Sequence, residues 1–98
     1  MSKKPETLFK EKVLEWLKTL PVWFIKTQEV ARRGTPDIII CVNGAFVAWE
    51  LKVDFNEAEP LQEWNLTRIR NAGGMGRVVT PDNFKSAQND IYLLLQGG

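Results

Sequence analysis

Two spacings of apolar residues alternate along the chain and predict seven secondary-structure elements. Over residues 6–20 the apolar positions follow the 3.6-residue period of an amphipathic helix; they are Leu8, Phe9, Val13, Trp16, Leu17 and Leu20. Three segments rich in β-branched and aromatic residues follow, at 22–27, 37–42 and 45–53, and each is predicted to be a strand. A helix at about 61–72, a strand at 77–80 and a last helix capped by Asp82 and ending near Gln96 complete the pattern.

The order α-β-β-β-α-β-α, with polar loops at 28–34 and 54–60, predicts an α/β fold. The chain has 98 residues, of which 44% are hydrophobic and 26% charged, so we expect one domain over residues 1–98. No run approaches the ~20 apolar residues of a membrane span, and the first residues lack the apolar stretch of a signal peptide. One cysteine, Cys41, allows no internal disulfide, which suits a reducing cytoplasm.

The hairpin turn Asn43-Gly44 fixes the predicted register of the two central strands. With a two-residue loop Val42 faces Ala45, so paired residue numbers sum to 87 and Asp37 falls opposite Glu50. A slip of one residue would send the two side chains to opposite faces of the sheet.

Charge in these strands is the strongest chemical signal in the sequence. Glu50 and Lys52 share one strand face with Ala48, while Trp49 and Leu51 face the other way. Buried charges are costly unless they are paired or bound to a metal. Two carboxylates and a lysine brought together could hold a hard divalent cation and position a water beside it. The plainer alternative is a solvated Glu50–Lys52 pair, with an aspartate that only follows a turn-forming proline.

Histidine is absent from the sequence, which limits the kinds of catalytic and metal sites that the chain can form. Its absence excludes histidine-based triads, zinc sites with histidine ligands and catalysis by a histidine general base. A metal site would therefore be built from oxygen ligands, which favours Mg²⁺ or Mn²⁺. The net charge of +1 is too small to attract nucleic acid by itself, so DNA binding would depend on local positive charge.

Two motifs resemble those of the PD-(D/E)xK nucleases in the form used by the VRR-Nuc family. They are Arg32-Arg33-Gly34-Thr35-Pro36-Asp37 and Trp49-Glu50-Leu51-Lys52. The resemblance runs from Glu6 to about Val79, and Thr35 departs from it because a branched aliphatic residue often stands there. It implies a restriction-endonuclease-like fold, with a central mixed sheet flanked by helices.

The resemblance also implies roles for single residues of the two motifs. Asp37 would be the central metal ligand, and Glu50 with the backbone carbonyl of Leu51 would complete the ligands from the sheet. Lys52 would orient or help deprotonate the attacking water and neutralise charge on the phosphate. A helical glutamate, Glu6, would join the metal shell directly or through water, unless it only stabilises the helix dipole.

Further positions are implied with plainer alternatives beside them. Gln62 would approach the metal-bound water or the phosphate, or else be a surface amide. The DNA phosphates would contact Lys26, Arg32 and Arg33, which could instead form a solvated loop. Two further expectations concern groups of residues: a second basic patch at Arg68, Arg70 and Arg77, and core packing rather than base stacking for Trp16 and Trp49. Lys3, Lys4 and Lys10 are expected to be merely solvated.

The function implied by the resemblance is that of a Mg²⁺- or Mn²⁺-dependent endonuclease that hydrolyses DNA phosphodiester bonds. Its expected substrate is branched DNA such as a four-way (Holliday) junction, cut by a homodimer in the cytoplasm of a bacterial or phage-infected cell. Two alternatives stay open from the sequence. One is a non-catalytic module that holds nucleic acid for a partner enzyme, and the other is an enzyme that acts on RNA.

Overall fold

The computed structural model describes residues 3–27, 32–54 and 58–97, and they form a sheet flanked by helices. In chain order the elements are helix α1 (Pro5–Lys18), strands β1 (Trp23–Lys26), β2 (Ile38–Val42) and β3 (Ala45–Leu51), helix α2 (Pro60–Asn71), strand β4 (Met75–Val79) and helix α3 (Phe84–Leu95). This order confirms the predicted α/β fold. The loops predicted at 28–34 and 54–60 lie partly outside the described residues. No described helix combines the length and apolar character needed to cross a bilayer.

The sheet is mixed, with the spatial order β1-β2-β3-β4. Strands β1, β2 and β3 pair antiparallel, and β4 joins β3 in parallel. Val42 pairs with Ala45 and Ile38 with Trp49, so the predicted register is confirmed. Asn43 and Gly44 have φ of 52° and 88°, the positive values that a tight two-residue hairpin turn requires.

One face of the sheet carries the main hydrophobic core. Its inward side chains pack against α1 and α3, and the fully buried members from the sheet are Ile38, Ile40, Val42, Val47, Trp49 and Val79. Trp16 of α1 stacks on Trp49 with ring centroids 6.1 Å apart. The prediction of core packing for these two tryptophans is therefore confirmed, and burying each large apolar side chain contributes roughly 1.5–3 kcal/mol.

Among the described residues, a helix covers only the β3–β4 half of the opposite face. Helix α2 lies across β3 and β4, where Gly76 allows a close approach: an added Cβ would lie 3.1 Å from the carbonyl oxygen of Leu66. Over β1 and β2 no helix of the described ranges covers the same face, and the row Trp23–Cys41–Phe46 runs across three paired strands on this open part. Trp23 is 62% exposed and Phe46 49% exposed.

Two local predictions at the C-terminal end of the chain are wrong. Asn83, not Asp82, precedes α3, and its side chain closes the turn after β4 by accepting from the Thr80 amide at 2.8 Å and donating to the Val78 carbonyl at 3.2 Å. Strand β4 begins at Met75, two residues before the predicted start, because it pairs in parallel with β3 from Val47 onward.

Candidate active site

The predicted carboxylates meet at the end of the sheet where β2 begins and β3 ends. Asp37 directly precedes β2, and its Oδ2 accepts a hydrogen bond of 2.8 Å from the Leu51 amide of β3. Thr27 secures the backbone on the other side: its hydroxyl donates to the Pro36 carbonyl at 2.6 Å, and its amide donates to the Asp37 carbonyl at 3.0 Å. Asp37 is thus held from both neighbouring strands. Sequence reasoning missed the contribution of Thr27.

The turn that leads into Asp37 is fixed against α2. The amide and hydroxyl of Thr35 both donate to the Arg32 carbonyl, at 3.1 and 2.6 Å. Gly34 between them has a φ of +84°, and a Cβ added there would lie 2.6 Å from Cγ of Leu61. Only glycine fits both the conformation and the space.

Glu50 is buried, with 3% of its surface exposed. Its Oε2 accepts a hydrogen bond of 2.8 Å from Nε2 of Gln62 and lies 3.8 Å from Nζ of Lys52. Its Oε1 is buried and has no hydrogen-bond partner among the residues that the structure describes. The alternative of a solvated Glu50–Lys52 pair is therefore wrong, because α2 buries this strand face as well.

Gln62 holds Glu50 and the start of α2 together. Its Oε1 accepts a hydrogen bond of 2.9 Å from the Glu59 amide at the helix N-terminus, which leaves Nε2 to point at the carboxylate. The half-buried Gln62 is thus no free surface amide. The contact that it makes is with Glu50, which gives it a positioning role within the described structure.

The environment of Glu50 disfavours its charge. Burial, followed by the neighbouring Asp37 carboxylate, raises the pKa of Glu50 from 4.5 to about 7, although Lys52 and Lys10 act in the opposite direction. A carboxylate held in this way is a recurrent feature of functional sites. A cation bound next to the unpartnered Oε1 would relieve both the missing contact and the repulsion.

Asp37 and Glu50 lie at one wall of an open cleft of about 510 Å³. Leu51, the last residue of β3, and Lys52 directly after it continue this wall. Helix α1 forms the facing wall with Glu6 and Lys10, one turn apart, and Lys26 of β1 adds a further cation. Lys10 was not expected to take part, because the spacing of α1 gave it no distinction from other exposed lysines.

The donor set fits a hard divalent cation. Mg²⁺ keeps several waters and commonly uses only one or two protein carboxylates, which at this site would be Asp37 and Glu50. Within the described ranges no three His, Cys, Asp or Glu side chains come close enough to share a metal ion. Glu6 is therefore not gathered with the other two carboxylates for direct ligation, which leaves the predicted contact through water. The ligand role of the Leu51 carbonyl stays a prediction.

The basic residues expected at DNA fall into two groups. Lys26 lines the cleft, whereas Arg32 and Arg33 are exposed on the turn before Asp37, outside the lining of the cleft. Their contacts with DNA stay predictions. The second basic patch is not formed as expected, because two of its three members are engaged within the fold: Arg70 with Glu63 and the Gly76 carbonyl, and Arg77 with Asp90.

Comparison with known proteins relates the fold to solved structures. No family model and no curated protein matches the chain. A structure named "VRR_NUC domain protein" has a TM-score of 0.77 at 21% identity and covers 96% of this chain and 93% of its own. A second, named "VRR_NUC domain", has a TM-score of 0.70 at 22% identity and covers 80% and 86% respectively. The chain has the VRR_NUC fold, as its motifs predicted.

Proposed function

We propose that this protein is a metal-dependent nuclease that hydrolyses phosphodiester bonds in DNA. One observation carries the proposal: the carboxylate of Glu50 is buried beside Asp37 at the wall of an open cleft, and one of its oxygens has no partner within the described part of the chain. A module that only binds nucleic acid gains nothing from burying carboxylates next to a polyanion, since the burial costs free energy and the charge repels phosphate. The names of the two solved structures of the same fold support the same class.

The residues divide the work of hydrolysis among them. Asp37 and Glu50 would hold Mg²⁺ or Mn²⁺, with the Leu51 carbonyl, and with Glu6 acting through water. When bound, the ion would supply Lewis acidity and would lower the pKa of a water molecule. Lys52 would orient the attacking water, whose oxygen bonds to phosphorus as the P–O bond to the leaving group breaks. The water gives up its proton to solvent through the open cleft, and the leaving oxygen takes a proton from solvent. Lys52 also offsets charge on the phosphate.

Gln62 has a different role, because it contacts the Glu50 carboxylate and does not line the cleft that would receive the DNA. By donating to Oε2 of Glu50 it leaves Oε1 as the oxygen available to a cation. This orientation is set before any ligand arrives, since the same amide is fixed by the start of α2. Such preorganisation is how protein sites avoid reorganisation during the reaction.

The experiment is cleavage of labelled duplex, flap and four-way-junction DNA, with an RNA duplex beside them, in Mg²⁺, Mn²⁺ or EDTA. Wild type should cut DNA only with metal. Asp37→Asn and Lys52→Ala should each lose at least ~100-fold, the scale of removing one preorganised charge-stabilising group. Matched changes at exposed positions outside the cleft, Asp82→Asn and Lys85→Ala, should retain activity.

Each other outcome has a definite meaning. Binding without cutting in either metal would identify the protein as a nucleic-acid-binding module. Cutting in EDTA would remove the metal from the proposal, and preferential cutting of the RNA duplex would replace DNA as the substrate. Full activity of Lys52→Ala would show that Lys52 does not orient the attacking water or stabilise the charged phosphate.

For the substrate and assembly we propose a homodimer that resolves branched DNA, in particular four-way junctions, in a reducing cytoplasm. The net charge of +1 gives one copy little attraction for a branched polyanion, and a pair of copies would bring two sites to two strands. The open sheet face offers the contact surface, because the row Trp23–Cys41–Phe46 is exposed, apolar and uncharged. A second copy across a two-fold axis would bury it.

Light scattering at micromolar concentration tests the assembly. Wild type should have twice the chain mass, and Trp23→Ser with Phe46→Ser should return the monomer. Trp64→Ser is the matched control, because Trp64 is 53% exposed but lies on α2, outside the row. A wild-type monomer that cuts junction and linear duplex equally would overturn both the dimer and the junction preference. The proposed nuclease activity would still stand.

A further inference from the structure

Most of the charged side chains that line the cleft already have partners. Glu11 pairs with Lys3 at 2.6 Å, and Lys52 lies 3.8 Å from Glu50. Asp37 accepts from the Leu51 amide. Two cations of the cleft, Lys10 and Lys26, have no carboxylate within 4 Å anywhere in the described residues. These two lysines are therefore available to bind an anion that enters the cleft.

Lys10 differs from Lys26 in how firmly its position is set. It is half-buried, whereas Lys26 is exposed on an edge strand. The preceding residue, Phe9, is 6% exposed and meets Phe84 edge to face at 5.7 Å, and Val13 is fully buried. The core thus fixes the α1 backbone at Lys10, which is the condition for a precise contact on the cleft wall.

The two carboxylates on the wall opposite α1 repel DNA, so a cation is needed to hold the strand in the cleft. A DNA strand entering the cleft brings one negative charge per phosphate toward Asp37 and Glu50. Lys52 lies 3.8 Å from Glu50 and is assigned to the attacking water and the scissile phosphate, so the neighbouring phosphates of the strand need another cation. A cation on the other side of the cleft that forms no ion pair with a described carboxylate can attract such a phosphate.

We propose that Lys10 is a phosphate-binding residue of this cleft, holding the DNA strand against α1 while the facing wall acts on the scissile bond. This inference rests on the proposed function, whose DNA-binding residues it extends to a helix that the motifs do not include. Lys10 contributes affinity for the strand backbone and no base selection, because phosphates are the same at every step of the sequence.

The test measures binding separately from cutting. A labelled 20-base-pair duplex is titrated in EDTA, at salt from 50 to 200 mM, with proteins in the Asp37→Asn background. Lys10→Gln should weaken binding about tenfold at low salt, the scale of one charge-assisted hydrogen bond, and lower the slope of log Kd against log salt by about 1. Lys10→Arg should restore both.

The matched control is Lys12→Gln, which removes the same charge from the same helix. Lys12 is exposed and lies over the Phe84 ring at 5.9 Å, away from the cleft. Its removal should leave the salt slope unchanged. In cleavage assays without the Asp37→Asn change, Lys10→Gln should raise KM and leave kcat near that of wild type, since it removes binding common to ground and transition states.

Several results would overturn the inference. These are an unchanged salt slope in Lys10→Gln, an equal loss in Lys12→Gln, a fall in kcat with KM unaltered, or no binding of the duplex at 50 mM salt. The proposed chemistry fails differently: if DNA binds with the expected dependence on Lys10 but no metal supports cutting, the binding role stands and the nuclease does not.

Discussion

Replacing Glu50 by glutamine should stabilise the metal-free protein, and by an amount that depends on pH. The amide keeps the shape of the carboxyl and an oxygen to accept from Gln62, but it carries no charge. Wild type must ionise a side chain that is 3% exposed and faces Asp37, whereas the variant never does. A site arranged for a cation is thus predicted to cost stability while the cation is absent.

The magnitude follows from the pKa of Glu50, which rises from 4.5 to about 7 on folding. One pKa unit is worth about 1.4 kcal/mol, so full ionisation costs about 3 kcal/mol. Because the folded pKa is the higher one, the folded state binds the extra proton and stability falls as pH rises from 4.5 to 7. The loss is complete above pH 7 and absent well below 4.5.

Urea unfolding in EDTA at pH 4.5 and pH 8 measures this difference. Glu50→Gln should exceed wild type by about 3 kcal/mol at pH 8, which corresponds to more than 10 °C in Tm for a chain of this size, and the gap should largely close at pH 4.5. The control Glu15→Gln removes a 73% exposed carboxylate paired with Lys18 and should change stability by under about 1 kcal/mol at either pH. A gap of equal size at both pH values, or a less stable Glu50→Gln at pH 8, would refute the reasoning.

Three further predictions concern the metal, the turn and the helix start. Millimolar Mn²⁺ at pH 8 should raise the Tm of wild type and leave that of Glu50→Gln unchanged, because only the former keeps both carboxylates; equal shifts would count against Glu50 as a ligand. Gly34→Ala should destabilise more than Gly44→Ala, since both have positive φ but only Gly34 faces Leu61 within contact distance; unfolding curves that coincide would exclude this collision as the cause. Gln62→Ala should cost about 1–2 kcal/mol by removing a cap contact and the donor to Glu50, and a neutral effect on stability would contradict the double role.

The sequence contained enough local information to predict the pairing of the central hairpin. Asn43 and Gly44 impose positive φ at both turn positions, and the count of residues then puts Asp37 opposite Glu50. The burial of Glu50 was not predictable in the same way. It depends on α2 crossing β3, a contact between distant segments that no local pattern encodes.

Lys10 illustrates the same limit for a helix. The apolar spacing of α1 identifies which side packs on the core, but it leaves both flanks of that side equivalent. Only the position of the strand ends relative to α1 distinguishes the lysine in the cleft from Lys12, which lies over Phe84. The parallel partner of β4 and the turn closed by Asn83 are set by similar distant contacts.

The hydrogen bonds of Gln62 make the backbone amide of Glu59, just before α2, a spectroscopic probe of the charge on Glu50. The Glu59 amide donates to the same side chain that donates to Glu50, so it lies one residue removed from the acid in the hydrogen-bond chain. Protonation of Glu50 weakens its pull on the Gln62 amide, and that change alters the polarisation of the carboxamide oxygen that Glu59 contacts. The nitrogen chemical shift of Glu59 should therefore follow the charge on Glu50 through a pH titration, without a label in the cleft.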